Sequence, residues 1–572
     1  MSIRLSITLL VCLALVVRGN LDAASPRVKT PVGKLKGYYK TSPNGRQYEA
    51  YEGIPYAYPP VGKLRFQPPR VLPPWIGELS ATALGSPCHQ LTPIATDGAQ
   101  IIGSEDCLYL NIYVPVREKT APKAPMPVLF WIHGGAFQFG SGSDTGPDYL
   151  MDYDVIFVTI NYRLGPFGFL STEDEVVPGN MGLKDQSMAL QWVSDNIEWF
   201  GGDPQKLTLV GMSAGGASVH YHYLSPMSAG LFQGGISISG TAFDCWSQTE
   251  ASLSKAKQIS EMMGCPTINT RDMIRCLKYR PANVVTETVF FFFFFFYIPF
   301  TPFGPVVEKA GDIRFIDRTP IEIINSGNVQ DVPWITSTVS EEGLYPIATF
   351  YNKENVLKNL NDNWDNISPI LFDFNYTVPE EKHIEISRLI REHYFGAGTV
   401  DKANLKQLIQ LASDRFFVYD SENAARTQAA VNQKPVWYYY YSYRGTNSLA
   451  NFLSHSNDNY GVAHGDDVFI IVKTLWMNPI SQDDYNMQKH LIDMWLSFAI
   501  NGTPNVAGVE WSQVDPSKKE FQYLHLANPT KIYMDSNANF GEREFWDSID
   551  LNENKLQNKT YKQENINIKM EL

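Results

Sequence analysis

Leu207 to His220 reads LTLVGMSAGGASVH and carries Ser213 at its centre. An apolar run, Leu207 to Val210, meets G-x-S-x-G at Gly211, Ser213 and Gly215, and a small-residue run able to start a helix follows at once. A buried strand, a sharp turn and a helix in that order make a nucleophile elbow, which lifts the serine clear of the sheet. The glycines have a steric purpose, because so tight a turn leaves no room for a Cβ two residues to either side of the serine. The helix that follows points its first N–H groups at whatever binds beside Ser213.

The flanking sequence alternates apolar runs with helical patterns, as an α/β protein does. Val128 to Ile132 (VLFWI) and Val155 to Tyr162 (VIFVTINY) read as buried strands. Asp185 to Phe200 sets Met188, Leu190, Trp192, Val193, Ile197 and Phe200 mostly on one helical face before the strand Leu207 to Val210. Strand, helix, strand implies parallel neighbours in a large, mostly parallel sheet with helices on both faces. Gly235 to Ser239, Val332 to Ser337 and Val436 to Tyr443 are further predicted strands; Ile384 to Tyr394, Leu405 to Ala425 and Asp484 to Ile500 are predicted helices. No internal repeat, heptad pattern or Gly/Ser linker divides the chain, so one large domain is expected over residues 20–550, with a polar tail at 551–572.

With 44% apolar and 19% charged residues the 572-residue chain suits a globular protein with a sizeable core. A net charge of -13 argues against nucleic acid and anionic membranes as partners. Arg4 precedes an apolar run from Leu5 to Val17 that is short for a bilayer span and suits a signal peptide, cleaved near Gly19 or as late as Ala24. Beyond Cys12, pairing Cys88 with Cys107 and Cys265 with Cys276 would close two short loops and leave Cys245 over. N-glycosylation sequons at Asn366, Asn375, Asn501 and Asn558 agree with secretion; at Asn366 and Asn501 a proline follows the sequon. The final Lys569 to Leu572, KMEL, resembles an endoplasmic reticulum retention signal and is the alternative destination. No membrane or lipid anchor is expected, and a monomer or weak dimer is expected.

A serine hydroxyl becomes a nucleophile when a base takes its proton, and that base needs a carboxylate to hold its tautomer. Of ten histidines, His464 in GVAHGDD stands in a loop marked by Gly461 and Gly465, whereas His220 and His222 fall on the elbow helix and His133 beside a glycine pair. Glu342 in STVSEEG follows a strand and precedes a glycine, with Glu341 as runner-up. An oxyanion formed at the attacked carbonyl needs backbone donors; Gly134 and Gly135 of HGGAF, with Ala214, would supply them. Nothing in this chemistry calls for a metal or an organic cofactor. Phe290 to Phe296 is seven consecutive phenylalanines, followed by Phe300 and Phe303; it reads either as an aromatic pocket wall or as a loop packed on the core. Met212, Phe290, Phe296 and Phe300 are the candidate substrate-pocket residues.

The wording YEGIPYAYPPVGKLRF from Tyr51, SEDCLYLNIYVP from Ser104, HGGAF from His133, INYRLGPFGF from Ile160, GNMGLKDQSMALQWV from Gly179, FGGDP from Phe200 and GMSAGG from Gly211 covers most of the chain. It resembles the type B carboxylesterase and cholinesterase family of α/β-hydrolases, and within it most closely the insect β-esterases, including those associated with insecticide resistance. The resemblance implies a Ser, Glu, His triad on Ser213, Glu342 and His464, and the same two cysteine pairs. Many relatives carry an acid before the nucleophile where this chain has Met212, and the segment between Cys88 and Cys107 lacks the aromatic residue that cholinesterases set under a quaternary ammonium. Choline esters are therefore not expected as substrates. The wording around Ser213 also differs from the glutamine form of juvenile hormone esterases. The expected function is hydrolysis of small to medium apolar, uncharged esters through an acyl-enzyme, in xenobiotic detoxification. Alternatives are stoichiometric sequestration of organophosphate-type esters, hydrolysis of one hormone or pheromone ester, or an inactive adhesion-type relative.

Overall fold

The structure is a computed structural model that describes residues 25–92, 99–117, 124–295, 297–350, 353–474, 477–549 and 551. The proposed signal peptide, Phe296, Asn558 and the KMEL terminus lie outside the described residues.

Eleven strands form the central sheet: β1 (Tyr38–Thr41), β2 (Gln47–Pro55), β3 (Tyr109–Pro115), β4 (Met126–Ile132), β5 (Ile156–Ile160), β6 (Gly202–Met212), β7 (Gly234–Ile238), β8 (Trp334–Val339), β9 (Val436–Tyr441), β10 (Phe521–Asn528) and β11 (Lys531–Asn537). Their spatial order is β11-β10-β9-β8-β7-β6-β4-β5-β3-β2-β1. Pairing is parallel from β10 through β6 and β4 to β5, and antiparallel at both margins. The chain runs outward from β4 to β5 and returns on the other side of β4 as β6. This reversal opens a crevice at the carboxyl ends of β4 and β6, where ligands bind in open α/β sheets.

Successive side chains of a strand face opposite sides of the sheet, so each buried strand feeds two cores. In β4, Val128, Phe130 and Ile132 join a core with helices α1 (Met181–Asn196), α2 (Ala214–Leu224) and α3 (Tyr419–Val431). Leu129 and Trp131 point the other way, onto Met487, Leu491, Trp495 and Phe498 of helix α4 (Gln482–Asn501). The predicted strands and helices are all present with shifted ends, except that Leu405 to Ala425 is not one helix. An α-helix over Leu405–Ser413 passes through a π-turn at Asp414–Val418 before α3 begins.

The pairs Cys88–Cys107 and Cys265–Cys276 are formed, and Cys245 keeps its thiol, 3.5 Å from the Arg415 carbonyl. Among the sequons, Asn366 and Asn501 are exposed and Asn375 is half-buried. Among the described residues no helix is long and apolar enough to cross a membrane.

Candidate active site

The elbow forms as its sequence requires. β6 ends at Met212, α2 begins at Ala214, and Ser213 between them has φ 60° and ψ -127°. Such a conformation costs an L-residue on the order of 1–3 kcal/mol and persists only where the surroundings impose it. Here the Ser213 N–H donates to the Ile238 carbonyl at 2.8 Å, and the Ser213 carbonyl accepts from Ala217 N at 2.8 Å. A Cβ on Gly211 would meet the Gly215 carbonyl oxygen at 2.3 Å, and one on Gly215 would meet that of Ile132 at 2.0 Å. The two glycines thus let strand, turn and the neighbouring β4 approach at backbone distance.

From the end of β4 the chain enters His133-Gly134-Gly135 directly beside the elbow. The Cβ position of Gly134 lies 2.7 Å from the Met212 carbonyl and 3.1 Å from Ser213 Cβ. Ala214 opens α2, so its N–H has no acceptor within the helix. Gly134 therefore lies against the elbow, and Ala214 follows Ser213 at the start of the helix. His133 belongs to the packing of this loop: its ring stacks on Tyr162 at 4.3 Å, its Nδ1 lies 2.8 Å from the Gly134 carbonyl, and burial lowers its pKa.

Two segments converge from the far side. Glu342, fully buried just past β8, accepts from the Val339 N–H at 2.8 Å and the Ser239 hydroxyl at 2.5 Å through Oε1. Its Oε2 meets His464 Nδ1 at 2.6 Å. With Nδ1 held there, the buried Nε2 of His464 has no protein partner among the described residues, while Ser213 is 8% exposed. The loop bearing His464 reaches the elbow through Met212, whose Cε lies 2.3 Å from the Cβ position of Gly465. Met212 thus packs beneath the elbow between two loops.

Rings enclose this group. Phe417 lies 4.5 Å and Tyr345 5.5 Å from His464 between ring centres; Phe300 stacks on Tyr345 at 5.3 Å, and Trp246 lies 5.9 Å from Phe417 and 6.5 Å from Phe137. Phe300 therefore stands one ring away from His464. Phe290 is 44% exposed, and Phe291 and Phe294 are more so. A run of one residue type has no periodicity, so its inward members could not be read from sequence: Phe292 packs edge-on against Phe303 and Phe295 against Phe350. Ser239, Tyr345, Phe417 and Trp246 were not singled out from the sequence. The only local sign for any of them was Ser239 at the end of a predicted strand, before Gly240.

A strained serine at a strand-to-helix turn, with a glycine loop packed on it and a carboxylate-bound imidazole on a loop that meets the preceding Met212, at the switch point of a mostly parallel sheet, fits a serine hydrolase of the α/β-hydrolase class. The carboxylesterase family model matches residues 24–546, and the chain belongs to that family as a serine carboxylesterase, an enzyme that hydrolyses carboxylic esters. It is 53% identical over 537 residues to venom carboxylesterase-6 of Apis mellifera, covering 94% of this chain and 96% of that protein. It is 49% identical over 557 residues to a carboxylic ester hydrolase of Bombus ignitus, covering 96% and 99%. Among solved structures, juvenile hormone esterase from Manduca sexta, with OTFP covalently attached, superposes with a TM-score of 0.80 at 28% identity, covering 94% of this chain and 100% of that one.

Proposed function

We propose that Ser213, His464 and Glu342 act as the catalytic triad for apolar, uncharged esters of small to medium size. The observation that carries this reading is the 2.6 Å contact of Glu342 with His464 Nδ1, which leaves Nε2 as the ring's proton acceptor. As Ser213 Oγ attacks the ester carbonyl, its proton passes to Nε2 and the oxyanion takes hydrogen bonds from Gly134, Gly135 and Ala214 N–H groups. Each such donor typically lowers the barrier by ~3 kcal/mol. The proton then goes to the departing alcohol, water attacks the acyl-enzyme by the same route, and the acid leaves. The rings of Phe417, Tyr345, Phe300 and Trp246 around His464 support an apolar substrate. A secreted protein that clears apolar xenobiotic esters accords with the two disulfides.

The test is the time course of naphthol release from a short-acyl naphthyl ester by the mature protein and by Ser213→Ala. Sustained turnover is expected, with kcat at least about a thousandfold lower in the variant. A plateau after one equivalent would replace hydrolysis by sequestration, and equal rates would remove Ser213 as nucleophile.

A further inference from the structure

Glu341 and Glu342 are adjacent, and only the second meets the imidazole. The first turns to the backbone of the loop that carries His464. Glu341 Oε2 accepts from the Val462 N–H at 2.7 Å and from the Ser340 hydroxyl at 2.5 Å. The Glu341 N–H donates to the Val462 carbonyl at 3.1 Å, and Glu341 pairs with Ala463 in an isolated parallel bridge. Gly461 fits against the same carboxylate: with φ +119°, a Cβ built there would lie 2.6 Å from Glu341 Cδ and Oε2. One residue beyond the bridge is His464.

The segment after β8 thus reaches the His464 loop twice, through Glu342 at the ring and through Glu341 at the backbone. A charged acceptor gives a stronger hydrogen bond to a backbone N–H than a neutral one does. The pairing matters because the imidazole must serve twice per cycle, in acylation and in deacylation, and small displacements of a catalytic group are costly. Downstream, Asp466 holds the other flank by accepting from Ala463 N at 2.8 Å and Leu449 N at 2.9 Å.

We propose that Glu341 is a positioning residue, which fastens the backbone before His464 so that the ring held by Glu342 stays aligned with Ser213. The proposal rests on His464 being the base. Glu341 touches no reacting atom, so its loss acts on turnover and leaves substrate affinity in place.

Five variants test this, Glu341→Ala, Glu341→Gln, Gly461→Ala, the Glu341→Ala/Gly461→Ala double and His464→Ala, with kcat expressed per molecule that melts cooperatively so that misfolded molecules are not counted. Glu341→Ala is expected to lower kcat by about ten- to a hundredfold with KM within about twofold, the size of a lost charge-assisted hydrogen bond. Glu341→Gln keeps an acceptor for Val462 and is expected within about threefold of the parent. Gly461→Ala, which pushes on the same carboxylate, is expected to imitate Glu341→Ala, and the double variant to be no worse than the weaker single, as for two changes that break one contact. Should Glu341→Ala not yield folded protein, Glu341→Gln and Gly461→Ala make the same comparison. Parental kcat in both Glu341→Ala and Gly461→Ala, equal losses in the Gln and Ala variants, or multiplicative losses in the double would overturn the proposal. His464→Ala separates the two readings: if it is inactive while Glu341→Ala turns over normally, the base stands and the fastening falls.

Discussion

Ser239 illustrates how much of the site depends on single side chains. It sits just beyond β7 with φ +48°, a conformation uncommon outside glycine, and from there its hydroxyl reaches Glu342 Oε1 at 2.5 Å. The Val339 N–H completes the set of donors on that oxygen. A carboxylate taken out of water needs such donors, because an unpaired buried charge is among the most costly groups in a protein. Ser239→Ala leaves the oxygen with one of its two donors, and a hydrogen bond to a charged group contributes about 1.5–3 kcal/mol. If that loss falls on the transition state, kcat drops by roughly ten- to a hundredfold. Steady-state kinetics normalised to cooperatively melting protein would measure it, and an unchanged kcat would mean that Val339 alone suffices.

At the scale of elements, helix α1 departs most from what periodicity implied. An amphipathic helix from Asp185 was expected; the helix begins at Met181 and its first two turns are buried all round. Lys184 and Asp185 enter the core because partners wait there. Lys184 Nζ meets Glu308 Oε2 at 2.6 Å, and Asp185 takes paired hydrogen bonds from Arg163 at 2.7 Å. Glu308 also accepts from Asn180 Nδ2 and Phe315 N, tying the start of α1 to a segment more than a hundred residues later. Removing one partner of a buried pair strands the other, at a cost of about 3–5 kcal/mol. Lys184→Met should therefore lower stability by that amount, read as a fall in the urea midpoint, and Lys184→Met with Glu308→Gln should recover at least about half. The π-turn at Asp414–Val418 is a comparable surprise. It holds Phe416 and Phe417, so the ring beside His464 comes from a turn that an α-helical reading of Leu405 to Ala425 would have placed in another register.

For the whole molecule, buried titratable groups set the pH range of stability. Burial pushes Asp466 up to about 6, Asp467 to about 7 and Asp414 to about 8, whereas an unfolded aspartate titrates near 4. These carboxyls bind protons in the fold that the unfolded chain has released, so their contribution is full below pH ~4 and is lost as pH rises through 6 to 8. His220 and His222 act in the opposite sense: burial lowers both to about 3, so the fold loses stability as pH falls below ~6.5, where the unfolded histidine takes up a proton. Between pH 4 and 6 the two sets oppose each other, and above 6.5 only the acids act. With three acids against two histidines the balance already favours loss of stability above pH ~4, so the melting temperature should pass through a maximum near pH ~4 and decline toward 8, with Asp414→Asn flattening the alkaline side. A melting temperature that climbs from pH 6 to 8 in the wild type would contradict this assignment.

Short-range rules made the elbow and the proposed catalytic residues legible in the chain. G-x-S-x-G after an apolar run dictates an elbow because a Cβ at Gly211 or Gly215 would overlap backbone, and β-branched and aromatic runs without polar alternation dictate strands covered on both faces. Glu342 and His464 could be proposed because each follows or flanks glycine-marked loops, with Glu341 as runner-up to Glu342 and the family resemblance favouring Glu342. One residue along a chain reverses the direction of a side chain, and only the packed loop decides which of two adjacent acids meets a ring 122 residues away. The same holds for the phenylalanine run, whose uniform sequence names no inward face, and for Tyr345, Phe417 and Trp246, which come from three separate segments. Local sterics and hydrophobic pattern determined the elements and the elbow; the aromatic enclosure, the buried ion pairs and the partner of His464 were decided by distances between segments that exist only once the sheet is assembled.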